Sequence, residues 1–176
     1  MAFAFIITEN VVSLQHNTQD MKNPFKLLWL MVRFRNPKRV KEMKVVADGF
    51  WLGKGYAALT FFGYIVVATK KEAEQLNATT SEKDSLKRHE MIHLRQAQSL
   101  HNSWFLFYVR YIWYYVRAIP QNKYRRGAAY YLNPFEMEAY EHMYEKDYLE
   151  KCKDGANGWR VYAKMKPRER RELTKR

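Results

Sequence analysis

The chain has 176 residues, 31 Lys and Arg against 18 Asp and Glu, and a net charge of +13. That length suits a single core, and 47% hydrophobic residues with only 7 Gly and 5 Pro exclude disordered, low-complexity and collagen-like chains. The lone cysteine, Cys152, excludes an internally disulfide-stapled secreted scaffold and fits a reducing compartment.

The charge is concentrated in two flanks. Residues 22–44 carry eight basic side chains and one acid, and residues 160–176 carry eight and two, so the net +7 and +6 account for the whole excess. The second flank reads as a solvated tail. An anionic membrane surface is the other reading of such flanks, whereas nucleic acid is disfavoured because no basic stripe runs the length of the chain. The first seven residues are apolar but have no positive start and reach Glu9 at once, a poor signal peptide. A cytoplasmic location is expected, with peripheral membrane contact as the alternative.

In chain order, Asn23-Pro24 is an N-cap followed by proline. It predicts a helix over 26–34, which Asn36-Pro37 stops. Residues 43–52 and 56–69 predict two strands in a hairpin around Gly53-Lys54-Gly55. Residues 61–67 carry the strongest strand signal, and Gly63 within them predicts a bulge or a close backbone approach. Thr69 and Glu72 form a capping box that opens a short helix to about Leu76. Ser81 and Asp84 restart a helix through the nineties.

Residues 103–119 read SWFLFYVRYIWYYVRAI. Arg110 and Arg117 leave no uninterrupted apolar run long enough to span a bilayer. A helix over 104–118, closed by Pro120, is predicted instead. Phe105, Tyr108 and Trp113 would form one core face, with Tyr111 and Tyr115 near another; an interfacial membrane helix is the alternative. Residues 121–132 predict a polar, basic loop. Asn133-Pro134 repeats the cap-and-proline device and opens a helix to about Cys152, and 154–158 is a turn. The class is α+β, a small antiparallel sheet followed by helices. Residues 1–159 read as one domain and 160–176 as a basic tail.

The chemistry centres on His89-Glu90-Met91-Ile92-His93. Residues four apart on a helix differ by about 40° in azimuth, so the two imidazoles share a face and can bind one zinc ion. Glu90, about 100° further round, reaches a water beside the metal rather than the metal itself. A zinc ion brings that water's pKa into the neutral range, and the carboxylate takes its proton for attack on a peptide carbonyl. His101 lies about 12 Å further along a continuing helix and is disfavoured as third ligand. The better source is the helix start Asn133-Pro134-Phe135-Glu136-Met137-Glu138-Ala139, where small Ala139 allows close approach. Glu136 and Glu138 point to different faces, so one of them is the ligand; Glu138 with His142 is the second choice. Gln96 is either a hydrogen-bonding residue behind the ligands or a solvated one. A di-iron bundle needs two Glu-x-x-His pairs, and the chain offers one, Glu90 with His93.

These residues carry a resemblance. His89-Glu90-x-x-His93 with Glu136-x-x-Ala139 is similar to the zincin metallopeptidases of gluzincin type. More narrowly, residues 56–149 look like a group of small bacterial zincin-like proteins. The resemblance implies Zn2+ held by His89, His93 and Glu136, with Glu90 as general base and a peptide or protein as substrate. It also implies a strand before the active-site helix as a substrate-binding edge, for which 61–67 is the candidate. Tyr130 and Tyr131 are candidates for stabilising the oxyanion. The alternatives are a catalytically inactive zinc-binding protein and a basic protein that binds a membrane surface or another anionic partner.

Overall fold

The structure, a computed structural model, describes residues 42–48, 57–122 and 128–174. The expected helix over 26–34 and the turn at Gly53–Gly55 lie outside them. The chain divides into two compact units, Met1–Glu90 and Met91–Arg176, and the division falls inside a single helix.

In the first unit, β1 (Lys44–Ala47), β2 (Leu59–Phe61) and β3 (Tyr64–Val67) form a sheet of order β1-β3-β2. β2 runs antiparallel to β3, with Phe61 opposite Tyr64. β1 runs parallel to β3, with Lys44 opposite Tyr64, so the sheet is mixed rather than antiparallel. All four residues of β3 are buried. A strand so uniformly apolar belongs in the middle of a sheet, with both its edges paired. Residues 56–69 are therefore two strands, not one. Their connection is Phe62-Gly63, with φ of 45° and 84°. Two left-handed residues make the short turn whose twist suits a hairpin, so Gly63 marks a turn rather than a bulge.

The helix α1 (Lys70–Ala78) begins with the expected capping box. The Thr69 hydroxyl accepts from the Glu72 N–H at 3.2 Å, and Glu72 Oε2 accepts from the Thr69 N–H at 2.9 Å. α1 packs on β1 and β3. Its Asn77 side chain takes the place of a neighbouring strand at the outer edge of β1, accepting from the Val45 N–H at 3.1 Å and donating to the Val45 carbonyl at 2.9 Å. The helix α2 (Ser85–Ser99) starts at Asp84, whose carboxylate accepts from the Lys87 N–H at 2.8 Å. Buried Lys87 turns back and donates to the carbonyls of Leu76 and Thr79, closing the end of α1.

In the second unit, α3 (Trp104–Ala118) is capped by Ser103 and runs into a 3-10 turn at Ile119–Asn122. Then come α4 (Ala128–Tyr131), α5 (Pro134–His142), α6 (Tyr148–Lys151), α7 (Trp159–Lys164) and α8 (Pro167–Leu173). The core gathers round Phe135, whose ring centroid lies 4.9 Å from Phe107 and 4.6 Å from Trp159. Three expectations change here. The loop over 121–132 contains α4. The helix from Pro134 stops at His142, and α6 follows a break. The basic segment after residue 159 is helical in α7 and α8, with Arg170 buried.

α3 has the expected bounds but not the expected core face. Trp104, Phe107 and Ala118 are buried, while Phe105 and Trp113 are 71% and 57% exposed. A helix apolar on nearly every side gives no periodic signal to choose the inward face. Among the described residues, no helix is long and apolar enough to cross a membrane.

The two caps offer a stability test. Thr69→Ala removes a half-exposed cap and should cost about 1 kcal/mol in urea unfolding. Asn133 is fully buried, accepts from the Phe135 N–H and donates to the Tyr111 carbonyl at 3.1 Å, so Asn133→Ala should cost clearly more. Equal losses would contradict the buried cap.

Candidate metal centre

α2 places His89 and His93 one turn apart on one face, and both are buried. α5 places Glu136 in its first turn, also buried. His89, His93 and Glu136 each offer a ligand atom, and these atoms lie within 4.8 Å of one another. Two imidazoles and one carboxylate, buried together, are a donor set that suits zinc.

Hydrogen bonding fixes how His93 presents itself. Its Nδ1 lies 2.8 Å from Gln96 Oε1. The Gln96 amide nitrogen is already committed, donating to the Phe135 carbonyl at 2.9 Å and to Glu138 Oε2 at 2.6 Å. Gln96 Oε1 is therefore the acceptor, and Nδ1 carries the hydrogen. In the neutral ring this leaves the lone pair on Nε2, which faces Glu136 Oε1 at 3.4 Å. Two lone-pair atoms at that distance repel unless a proton or a metal ion lies between them, so this pair can hold a metal ion.

Glu136 is itself held by two phenols. Tyr111 donates to Oε1 at 2.7 Å and Tyr130 to Oε2 at 2.5 Å. Burial, with the Glu136 charge adding to it, pushes the Tyr130 phenol well above its ordinary range, so it remains a donor. Tyr130 thus positions the carboxylate. Tyr131 packs its ring against Tyr130 and Tyr140, at centroid distances of 5.2 and 5.6 Å.

Glu138 lies outside the cluster but supports it. Fully buried, it accepts from Gln96, from the Tyr148 hydroxyl at 2.8 Å and from the Gly158 N–H at 2.6 Å. A Cβ at residue 158 would stand 2.6 Å from Glu138 Oε1, so a side chain there would push the carboxylate out of this position. The break after His142 has the same origin. On a straight helix Tyr148 would lie about 15 Å along the axis from Glu138; the turn folds it back, where its ring stacks on His142 at 3.9 Å. His142 Nδ1 meets Glu145 at 2.7 Å, so the His142–Glu138 alternative forms no shared site. His101 is exposed, with φ of 58°, beyond the end of α2.

Glu90 is fully buried, and its Oε2 accepts from the Thr60 hydroxyl on β2. The candidate substrate edge needs revision, because β3 is the central strand and β2 lies at the edge of the described sheet. Cys152 does not favour thiolate chemistry, since burial pushes its thiol up to about 11.

From sequence, Gln96 is a hydrogen-bonding candidate or a solvated residue; its pairing with His93, three residues away on the same helix, is given by the structure. Sequence reasoning did not find Thr60, Tyr111, Tyr148 or Gly158. They come from other elements at sequence separations no motif spans. No family model, curated protein or solved structure matches the chain.

Two measurements check this arrangement. Zinc affinity in a chelator competition should collapse in Glu136→Ala, fall about 10–100-fold in Glu138→Ala, and fall in the same direction in Gly158→Ala; a larger loss for Glu138→Ala would exchange the two roles. Cys152 should react with iodoacetamide at pH 8 much more slowly than a free thiol; reaction at the free-thiol rate would contradict its burial.

Proposed function

We propose that the protein is a zinc-dependent metallopeptidase in which His89, His93 and Glu136 hold one Zn2+ and Glu90 is the general base. The buried cluster of two imidazoles and a carboxylate carries this reading. When bound, the zinc ion supplies Lewis acidity and makes a water acidic enough to ionise near neutral pH. The protein's own residues do the rest.

Gln96 holds the His93 ring so that Nε2 is the ligand atom. Tyr111 and Tyr130 hold Glu136 in place. Glu90, next to His89 in the chain and about 100° round the helix, accepts a proton from the attacking water as the new C–O bond forms. It returns that proton to the leaving amine nitrogen as the C–N bond breaks. The Thr60 hydroxyl on one Glu90 oxygen fixes the carboxylate's orientation. An extended peptide can pair along β2, whereas β1 has Asn77 on its outer side.

Metal analysis of the purified protein should find one zinc per chain, lost in His89→Ala and in His93→Ala. Glu90→Gln should keep the zinc and lose about 10²–10⁴-fold in hydrolysis of a labelled casein. Hydrolysis by Glu90→Gln at the parent rate would remove Glu90 from the mechanism. A preparation without metal, in zinc-containing medium, would remove the centre itself.

A further inference from the structure

The metal centre uses only the inner face of α3. On its outer face Phe105, Val109, Trp113 and Val116 are exposed, followed by exposed Ile119. At about 100° per residue these four fall within roughly 80° of one another, in a stripe that Ile119 extends to about 21 Å. Apolar surface in such a continuous band is uncommon on a free protein face and marks a contact surface.

One border of the stripe is basic. Arg110 and Arg117 are exposed and lie about 100° from its centre. Arg117 sits over the Trp113 ring at 5.6 Å. Arg110 and Arg160 both lie over the Trp159 ring, at 5.6 and 4.9 Å, and Arg170 lies 6.0 Å from the Tyr114 ring. These contacts set α7 and α8, with five basic and two acidic residues, along the arginine side of α3. Residues 103–122 contain no acid at all. Arg170 is buried where α8 meets α3. The exposed Arg110 and Arg117, with no acid on their helix, give this border a positive potential that favours a negatively charged neighbour.

We infer that α3, with its border of α7 and α8, is a docking surface for an anionic lipid bilayer. Phe105, Val109, Trp113 and Val116 enter the boundary between headgroups and acyl chains, and Arg110 and Arg117 meet the headgroup phosphates. Apolar and aromatic residues beside arginine suit that boundary, where one side of the helix is apolar and its flank charged. A second copy of the chain fits less well, because a two-fold contact through the stripe would bring the two arginine borders together. A soluble polyanion would leave the apolar stripe in water. This surface does not depend on the metal centre.

Sedimentation of the full chain with vesicles tests it. Binding is expected to equimolar phosphatidylcholine and phosphatidylglycerol, to weaken with salt, and to be far lower on phosphatidylcholine alone. The double variants Phe105→Ser with Trp113→Ser, and Arg110→Gln with Arg117→Gln, should each lower partitioning at least about tenfold. All four residues are exposed, so both variants should keep the parent circular dichroism. Absent binding, equal binding to neutral vesicles, or parent-like binding in both variants would overturn the inference. So would a dimer in light scattering that the Phe105/Trp113 variant dissolves.

Discussion

A carboxylate taken out of water must find a donor or a cation for each oxygen, and α5 carries two of them two residues apart. Left unmatched, each would cost several kcal/mol. Glu136 is met by the phenols of Tyr111 and Tyr130. Glu138 is met by the Gln96 amide, the Tyr148 phenol and the Gly158 N–H. Much of the second unit follows from supplying those five donors. Tyr111 comes from α3 and Tyr130 from α4. Tyr148 needs the break after His142, and the Gly158 N–H approaches as closely as it does because residue 158 has no Cβ to displace the carboxylate.

The two carboxylates have different electrostatic ends. The donors on Glu138 are neutral N–H and O–H groups, enough to satisfy an anion without a cation, so it becomes a fixed acceptor that orients Gln96. Gln96 in turn settles which His93 nitrogen carries the hydrogen. Glu136 also has two neutral donors, but one of its oxygens still faces an imidazole lone pair at 3.4 Å. That residual mismatch marks Glu136, rather than Glu138, as the carboxylate placed to meet a cation. The roughly 200° between positions two apart on a helix sends one carboxylate to each task.

α3 serves the protein on two sides. Its inward residues Trp104, Phe107 and Tyr111 pack on the core, and Phe107 lies 5.8 Å from the His93 ring. Its outward residues are as apolar as its inward ones. Burial alone does not explain that composition, since Phe105 and Trp113 bury little. One helix thus carries a tyrosine that holds Glu136 on one face and an exposed apolar stripe with an arginine edge on the other.

Local chemistry was legible from residues close in the chain. The capping box at Thr69 and Glu72, the Asn133-Pro134 helix start, the bounds of α3 and the shared face of His89 and His93 all rest on interactions within about one helical turn, so the amino-acid order determines them. Pairing of β1 beside β3, the inward face of α3, and the convergence of Tyr111, Tyr130, Tyr148 and Gly158 on two carboxylates were decided only by tertiary structure. Those contacts join residues remote in sequence. Their partners are selected by which buried charge needs a donor and which apolar strand needs both edges covered, and no local pattern encodes either condition.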